Sequence, residues 1–74
     1  MSKQEKLDTL AEIEGFEDVM DMLGDATIDS VAPGICTNDD CNYTTQVEPD
    51  CRNGWCEDCQ TNSVASCLVL AGII

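Results

Sequence analysis

The sequence predicts a small α+β domain, with a helical segment at its start, short β-hairpins around a cysteine-rich centre, and a helix at its end. Three observations support this prediction. Apolar residues recur at helical spacing in residues 1–24, four cysteines form two close pairs in residues 33–60, and residues 62–74 are largely apolar. The chain has 74 residues, 43% of them hydrophobic, which indicates one folded domain and excludes a wholly disordered chain.

The first segment has the start and stop signals of helices. Ser2-Lys3-Gln4-Glu5 fits a capping box, in which the serine and glutamate side chains satisfy free backbone amides. Gly15 is expected to break the helix, and Gly24 suits the position just after a helix end. Between the glycines, an apolar stripe recurs at helical spacing: Phe16, Val19, Met20 and Leu23. We expect two short helices or one kinked helix, with Phe16 in the core.

The central segment changes to turn and strand signals. Pro33-Gly34 predicts a turn just before the first cysteine pair. Residues 43–47, Tyr-Thr-Thr-Gln-Val, are β-prone and predict a short strand. Asn53-Gly54 predicts a tight turn before Trp55, which we expect to pack over the site formed by the cysteines.

The last segment, residues 62–74, carries mixed signals. Helical spacing joins Val64, Cys67, Leu68 and Ala71. Several β-branched residues favour a strand instead. Because apolar and polar residues do not alternate here, we expect a helix.

The most informative feature is the spacing of four cysteines. Cys36 and Cys41 form a C-x4-C pair, and Cys56 and Cys59 form a C-x2-C pair that begins after a fourteen-residue insert. Zn²⁺ prefers four tetrahedral ligands, and thiolates serve well. A chain of this size buries only about 60% of its unfolded surface and usually needs a metal or disulfides. We therefore predict one structural zinc ion per chain on these four cysteines; the alternatives are a redox or iron site, disulfides, or no bound metal.

Two cysteines remain outside the pairs. Cys51 is expected to be an exposed free thiol, although it could replace Cys36 or Cys56 as a ligand. Cys67 lies on the apolar face of the last segment and is expected to be a small buried hydrophobe.

The charge balance limits the classes of partner. Fifteen acidic residues face three basic ones, giving a net charge of −12 with no histidine. Nucleic-acid and anionic membrane binding both depend on clustered Lys and Arg, so we expect neither. The N-terminus lacks a secretory pattern, and the C-terminal apolar run is about half the ~20 residues that a membrane span needs. We expect a cytoplasmic protein, where disulfides are rare.

The stretch from Ala32-Pro33-Gly34-Ile35-Cys36 to Gly54-Trp55-Cys56-Glu57-Asp58-Cys59 resembles a zinc ribbon, or rubredoxin-like module. The whole chain is also similar to small uncharacterised bacterial and phage proteins that share its helical start, cysteine-rich centre and apolar ending. The first resemblance implies an ion held between two cysteine-bearing turns on β-hairpins. Two features depart from it: the first pair is C-x4-C, and Gln60 stands where such a turn often has glycine.

The leading functional hypothesis is a non-enzymatic, zinc-stabilised interaction or adaptor module. The chain has no histidine and no nucleophile–base arrangement, and a four-ligand zinc site leaves no open position for water. Apolar faces in residues 7–23 and 64–74 predict an unknown protein partner or a homodimer. One alternative is a rubredoxin-like iron electron carrier, because the same four sulfurs suit iron. Another is an acidic decoy of a nucleic-acid-binding protein, and hydrolysis at an open zinc site is least favoured.

Overall fold

The α+β class is confirmed by a computed structural model of the chain, which describes residues 2–74. The described residues form three helices and four strands. In chain order these are α1 (Lys3–Glu14), α2 (Val19–Ala26), β1 (Ala32–Cys36), β2 (Thr44–Val47), β3 (Gly54–Cys56), β4 (Thr61–Ser66) and α3 (Cys67–Leu70).

Helix α1 begins and ends where the sequence predicts. The Glu5 backbone amide donates to Ser2 Oγ at 3.2 Å, and the Ser2 amide donates to Glu5 Oε1 at 3.3 Å, so the capping box is formed. Gly15 ends the helix in the left-handed region with φ of 83°, a conformation that glycine adopts at little cost. The break between two helices is therefore confirmed.

Helix α2 differs from the prediction at its C-terminus. Gly24 lies inside the helix, which continues to Ala26, so its assignment to the position after the helix end was wrong. The extra turn buries Ala26 against the core, and this burial offsets the roughly 1 kcal/mol that a glycine costs within a helix. Phe16 precedes the helix and packs, partly buried, against the core as expected.

The four strands form one antiparallel sheet in the order β2-β1-β4-β3. The expected strand in residues 43–47 is confirmed as β2. Pro33 and Gly34, expected in a turn, instead lie within β1. Proline is tolerated there because the pairing of β1 with β4 begins only at Gly34, so Pro33 needs no amide hydrogen on that side.

Residues 62–74 are only partly helical. They begin within β4, and α3 is limited to four residues. The reason is tertiary: β4 lies between β1 and β3 and pairs with both, so its β-branched Val64 is fully buried at the sheet centre. Ser66 then caps α3, since its Oγ accepts from the Val69 amide at 3.2 Å.

The helices contact one another, and α1 and α3 pack against β1. This joins both ends of the chain in one core cluster, whose buried members include Leu7, Leu10, Met22, Ile35 and Leu68. The radius of gyration is 10.7 Å, close to the ~11 Å expected for a folded chain of this length. Among residues 2–74, no helix combines the length and hydropathy that crossing a bilayer requires.

Candidate metal centre

Two hairpins carry the cysteine pairs to the same end of the sheet. Cys36 is the last residue of β1, and Cys41 lies in the loop that leads to β2. Cys56 is the last residue of β3, and Cys59 lies in the turn that leads to β4. Because β1 and β4 pair antiparallel in the middle of the sheet, the two loops are neighbours.

The four sulfurs lie close enough together to bind one metal ion. All four Sγ atoms lie within 4.8 Å of one another. Cys41 Sγ and Cys56 Sγ are 3.6 Å apart, and Cys36 Sγ and Cys59 Sγ are 3.9 Å apart. A tetrahedral zinc ion with Zn–S bonds of about 2.3 Å places its sulfurs ~3.8 Å apart. The structure therefore brings together all four cysteines named from the sequence, in an arrangement that fits one metal ion.

The cluster is enclosed by the fold on most sides. Cys36, Cys41 and Cys56 are buried, and Cys59 is half-buried. They form a second small core with Val64, against which Tyr43 and Val47 pack. Three of the four buried members of this core are cysteines, so the packing of this end of the sheet depends on what their sulfurs bind.

Hydrogen-bond donors from the backbone and from a side chain are directed at the sulfurs. The Cys59 backbone amide donates to Cys56 Sγ at 3.3 Å. Ser63 Oγ lies 3.1 Å from Cys36 Sγ, and once Cys36 is a thiolate the hydroxyl is the donor. Thr61 Oγ1 lies 2.9 Å from the same hydroxyl. Such outer contacts spread the negative charge of the ligands and orient them toward a metal.

The thiols differ in acidity. Burial tends to raise the pKa of Cys36, but hydrogen bonds, the largest from the Ser63 hydroxyl, outweigh it and lower the pKa to about 7. For Cys41, a hydrogen bond with the Tyr43 backbone lowers the pKa, but burial and the adjacent thiols raise it to about 12. Burial also raises the pKa of Cys56. A metal ion that binds here must displace protons from the more basic thiols.

Sequence reasoning missed two residues that contact the centre. One is Ser63. The only feature of the sequence that could have indicated its contact with Cys36 is that it lies two residues after Thr61, on the same face of β4. The other is Lys6, whose Nζ donates to the Asn38 carbonyl at 2.6 Å and to the Cys41 carbonyl at 2.5 Å. Lys6 lies four residues before Leu10, on the apolar face of α1. This position could have predicted that its side chain is buried.

The remaining cysteines lie outside the cluster. All six thiols are free. Cys51 is half-buried, with its Sγ 3.9 Å from the Val64 carbonyl, and it is not among the four clustered residues. Cys67 is fully buried, as expected, and burial raises its pKa.

Trp55 does not match its expected role of packing over the site. Its side chain is 50% exposed. The acidic residues beside the cysteines are exposed; they are Asp39, Asp40, Glu57 and Asp58.

Fold and site together define the class: a small α+β protein with a four-cysteine cluster arranged to bind a metal ion. Comparison with protein families, curated proteins and solved structures found no match to this chain. The resemblance to zinc ribbons and to bacterial or phage proteins therefore gains no support from these comparisons, and the metal site depends on its own geometry.

Proposed function

We propose that this protein is a non-enzymatic interaction module whose fold is stabilised by one zinc ion on Cys36, Cys41, Cys56 and Cys59. The observation that carries the proposal is that all four sulfurs lie within 4.8 Å of one another, with two of the pairs 3.6 and 3.9 Å apart, close to the ~3.8 Å of a tetrahedral zinc site. Four thiolates fill the coordination sphere of zinc, so the ion serves structure and leaves no position for a reactive water.

A structural role also fits the energetics of the fold. The buried members of the core at this end of the sheet are Val64 and three cysteines. Free thiols pack there as small hydrophobes. A bound zinc ion would join both hairpins through four bonds, and its binding free energy becomes folding free energy.

Native mass spectrometry with elemental analysis tests the metal, on protein purified without a metal-affinity column. We expect one zinc per chain and six reduced thiols. The Cys59→Ser variant should lose zinc, whereas Cys51→Ser is the matched control, because Cys51 is also half-buried but lies outside the cluster. A coloured protein with one iron per chain would favour the electron-carrier hypothesis, and a mass lowered by disulfides would contradict both metals.

The interaction role is supported by an exposed apolar groove between α2 and the end of the chain. Its volume is about 440 Å³, and its lining is almost entirely apolar, formed by Met20, Leu23, Gly24, Thr27, Ala71 and Ile73. Met20 is 74% exposed and Ile73 is 54% exposed. An apolar surface of this kind is typical of a docking site.

Charge indicates which occupant fits the groove. Asp21 and Asp25 directly follow the groove residues Met20 and Gly24 in α2 and are exposed. The chain carries a net charge of −12, with no basic residue between Leu7 and Cys51. A second copy would set like charges against each other, whereas a basic amphipathic helix of a protein partner would match both the apolar floor and the acidic border.

Fluorescence anisotropy with a synthetic amphipathic leucine–lysine helix tests this surface at physiological salt. A scrambled peptide of the same composition controls for charge alone. We expect Met20→Glu to weaken binding of the helix at least tenfold, even though the added negative charge alone would favour a basic peptide. Ile13→Glu adds the same charge at a half-exposed site on α1 and should leave binding unchanged. Equal binding of both peptides would contradict the groove, and a dimer in ultracentrifugation that Met20→Glu dissolves would assign it to a second copy.

A further inference from the structure

Lys6 is buried in an unusual way for a lysine. Its side chain is only 1% exposed, and within residues 2–74 it is the one charged side chain in the buried class. Its ammonium donates to the carbonyl oxygens of Asn38 and Cys41 at 2.6 and 2.5 Å. Both carbonyls belong to the loop that carries Cys41, so the side chain connects α1 directly to the metal-binding loop.

Burying an ammonium group is costly unless an opposite charge compensates it. The two carbonyls accept hydrogen bonds from the Lys6 ammonium but carry no formal negative charge. Asp39, in the same loop, attracts Lys6 electrostatically, but its carboxylate is exposed, so water and salt weaken that attraction. A buried source of negative charge would compensate the ammonium more fully than this exposed carboxylate does.

The cysteine cluster is such a source when it holds a divalent ion. Four thiolates around one divalent cation leave a net charge of −2 on the centre. Because Lys6 Nζ is 2.5 Å from the Cys41 carbonyl, bond geometry places it within roughly 7 Å of the Cys41 sulfur. At that distance, in a buried setting, charges interact far more strongly than on the surface.

We propose that Lys6 is a positioning residue and counter-charge of the metal centre: it neutralises part of the thiolate charge and fixes the loop at residues 38–41. This inference rests on the proposed metal site. It also explains why a lysine occupies the apolar face of α1. The packing of α1 and metal binding are then coupled: α1 supplies the positive charge of Lys6, and the metal-bound thiolates supply the negative charge that stabilises it.

The test compares three variants loaded with zinc and with Co²⁺. Lys6→Met removes the charge and keeps most of the side-chain volume. Lys3→Met removes the same charge from an exposed position on the same helix. Ala11→Gly loosens α1 at a buried position without changing any charge, so it controls for simple destabilisation.

The measurements are zinc affinity, by competition with a chromophoric chelator, and the sulfur-to-cobalt charge-transfer band. We expect Lys6→Met to weaken zinc binding about 10- to 100-fold, as loss of an outer-shell partner does, and to move the band to longer wavelength. Lys3→Met should change neither quantity. Ala11→Gly should weaken binding through folding alone and leave the band in place.

Each outcome separates the two proposals. If the wild-type protein binds no metal, both the metal site and the counter-charge are overturned. If it binds zinc but Lys6→Met leaves the cobalt band unchanged, the metal site stands and the role of Lys6 is merely structural. If Ala11→Gly moves the band as far as Lys6→Met does, the shift reports loosening of α1, and the counter-charge is rejected.

Discussion

Gln60 has a backbone conformation that its side chain does not favour. Its φ is 56°, in the left-handed region, in the turn that follows Cys59. The Gln60 amide donates to the Cys56 carbonyl at 2.8 Å, which closes the turn that contains Cys56 and Cys59. The left-handed φ thus belongs to the turn that carries Cys56 and Cys59, at the position where a zinc-ribbon turn often has glycine.

We predict that Gln60→Gly stabilises the zinc-bound protein by about 0.5–1 kcal/mol. Relief of the left-handed strain, worth ~1–2 kcal/mol, exceeds the entropy that glycine loses on folding. Urea denaturation measures the change in the free energy of unfolding. Gln60→Ala keeps the Cβ atom and should give no gain; an equal gain from alanine would show that the effect does not come from the backbone.

Ser63 acts at the same scale through one hydroxyl group. Its Oγ is 3.1 Å from Cys36 Sγ, and it contributes to holding the pKa of that thiol at about 7. We predict that Ser63→Ala weakens zinc binding roughly tenfold, the lower end for loss of an outer-shell partner. Chelator competition measures this affinity. Thr37→Ala is the control, because the Thr37 hydroxyl donates to the Ser63 carbonyl at 2.8 Å and not to a sulfur. An equal loss of zinc affinity in this variant would show that the effect of Ser63→Ala comes from a disturbed strand and not from the lost contact with Cys36.

At the scale of the elements, β1 decides how closely the sheet packs. Gly34 lies at its centre, paired with Thr45 of β2 and Ser66 of β4. A Cβ atom at Gly34 would lie 2.8 Å from Val47 Cγ2 and 3.0 Å from Val64 Cγ1. Both valines pack in the core beside the cysteines, so the absence of a side chain at Gly34 lets that core close.

We predict that Gly34→Ala destabilises the protein by about 1–3 kcal/mol, as overpacking of a tight core does. The matched control is Gly24→Ala, which meets no atom within 4 Å and lies inside α2. That substitution should stabilise by about 0.5–1 kcal/mol, because alanine is the better helix former. Thermal unfolding of both variants checks the opposite signs; destabilisation by Gly24→Ala would contradict the helical assignment of that glycine.

At the scale of the whole molecule, the two core clusters give the six thiols different environments. Four belong to the metal-binding cluster, Cys67 lies in the cluster between the helices and the sheet, and Cys51 is half-buried outside both. Burial raises the pKa of Cys67, which keeps it as the unreactive neutral thiol.

We predict three phases of thiol labelling for the zinc-bound protein. Cys51 reacts first, the four clustered cysteines react when a chelator removes the metal, and Cys67 reacts last, on global unfolding. Time-resolved labelling with a chromogenic disulfide reagent, mapped by mass spectrometry, measures the order. Labelling of Cys67 together with Cys51 in the native protein would contradict the packing of α3.

Much of the local structure could be predicted, because it depends on neighbours in the sequence. Ser2, Glu5 and Gly15 define α1 through contacts within a few residues, and the pairing of cysteines in the sequence was enough to name the four clustered ones. The errors concern residues with ambiguous local signals. Gly24 stays helical because Ala26 is buried, and residues 61–66 form a strand because β1 and β3 flank them.

The sequence by itself determined the fold class, the start and end of α1 and the identity of the four clustered cysteines, since short-range spacing carries all three. Only the tertiary structure decided that Lys6 and Ser63 contact the centre, and that Trp55 is half exposed. Lys6 and Asn38 are 32 positions apart, and Cys36 and Ser63 are 27 apart. No local pattern encodes such distances, because they arise when hairpins and helices are packed into one core.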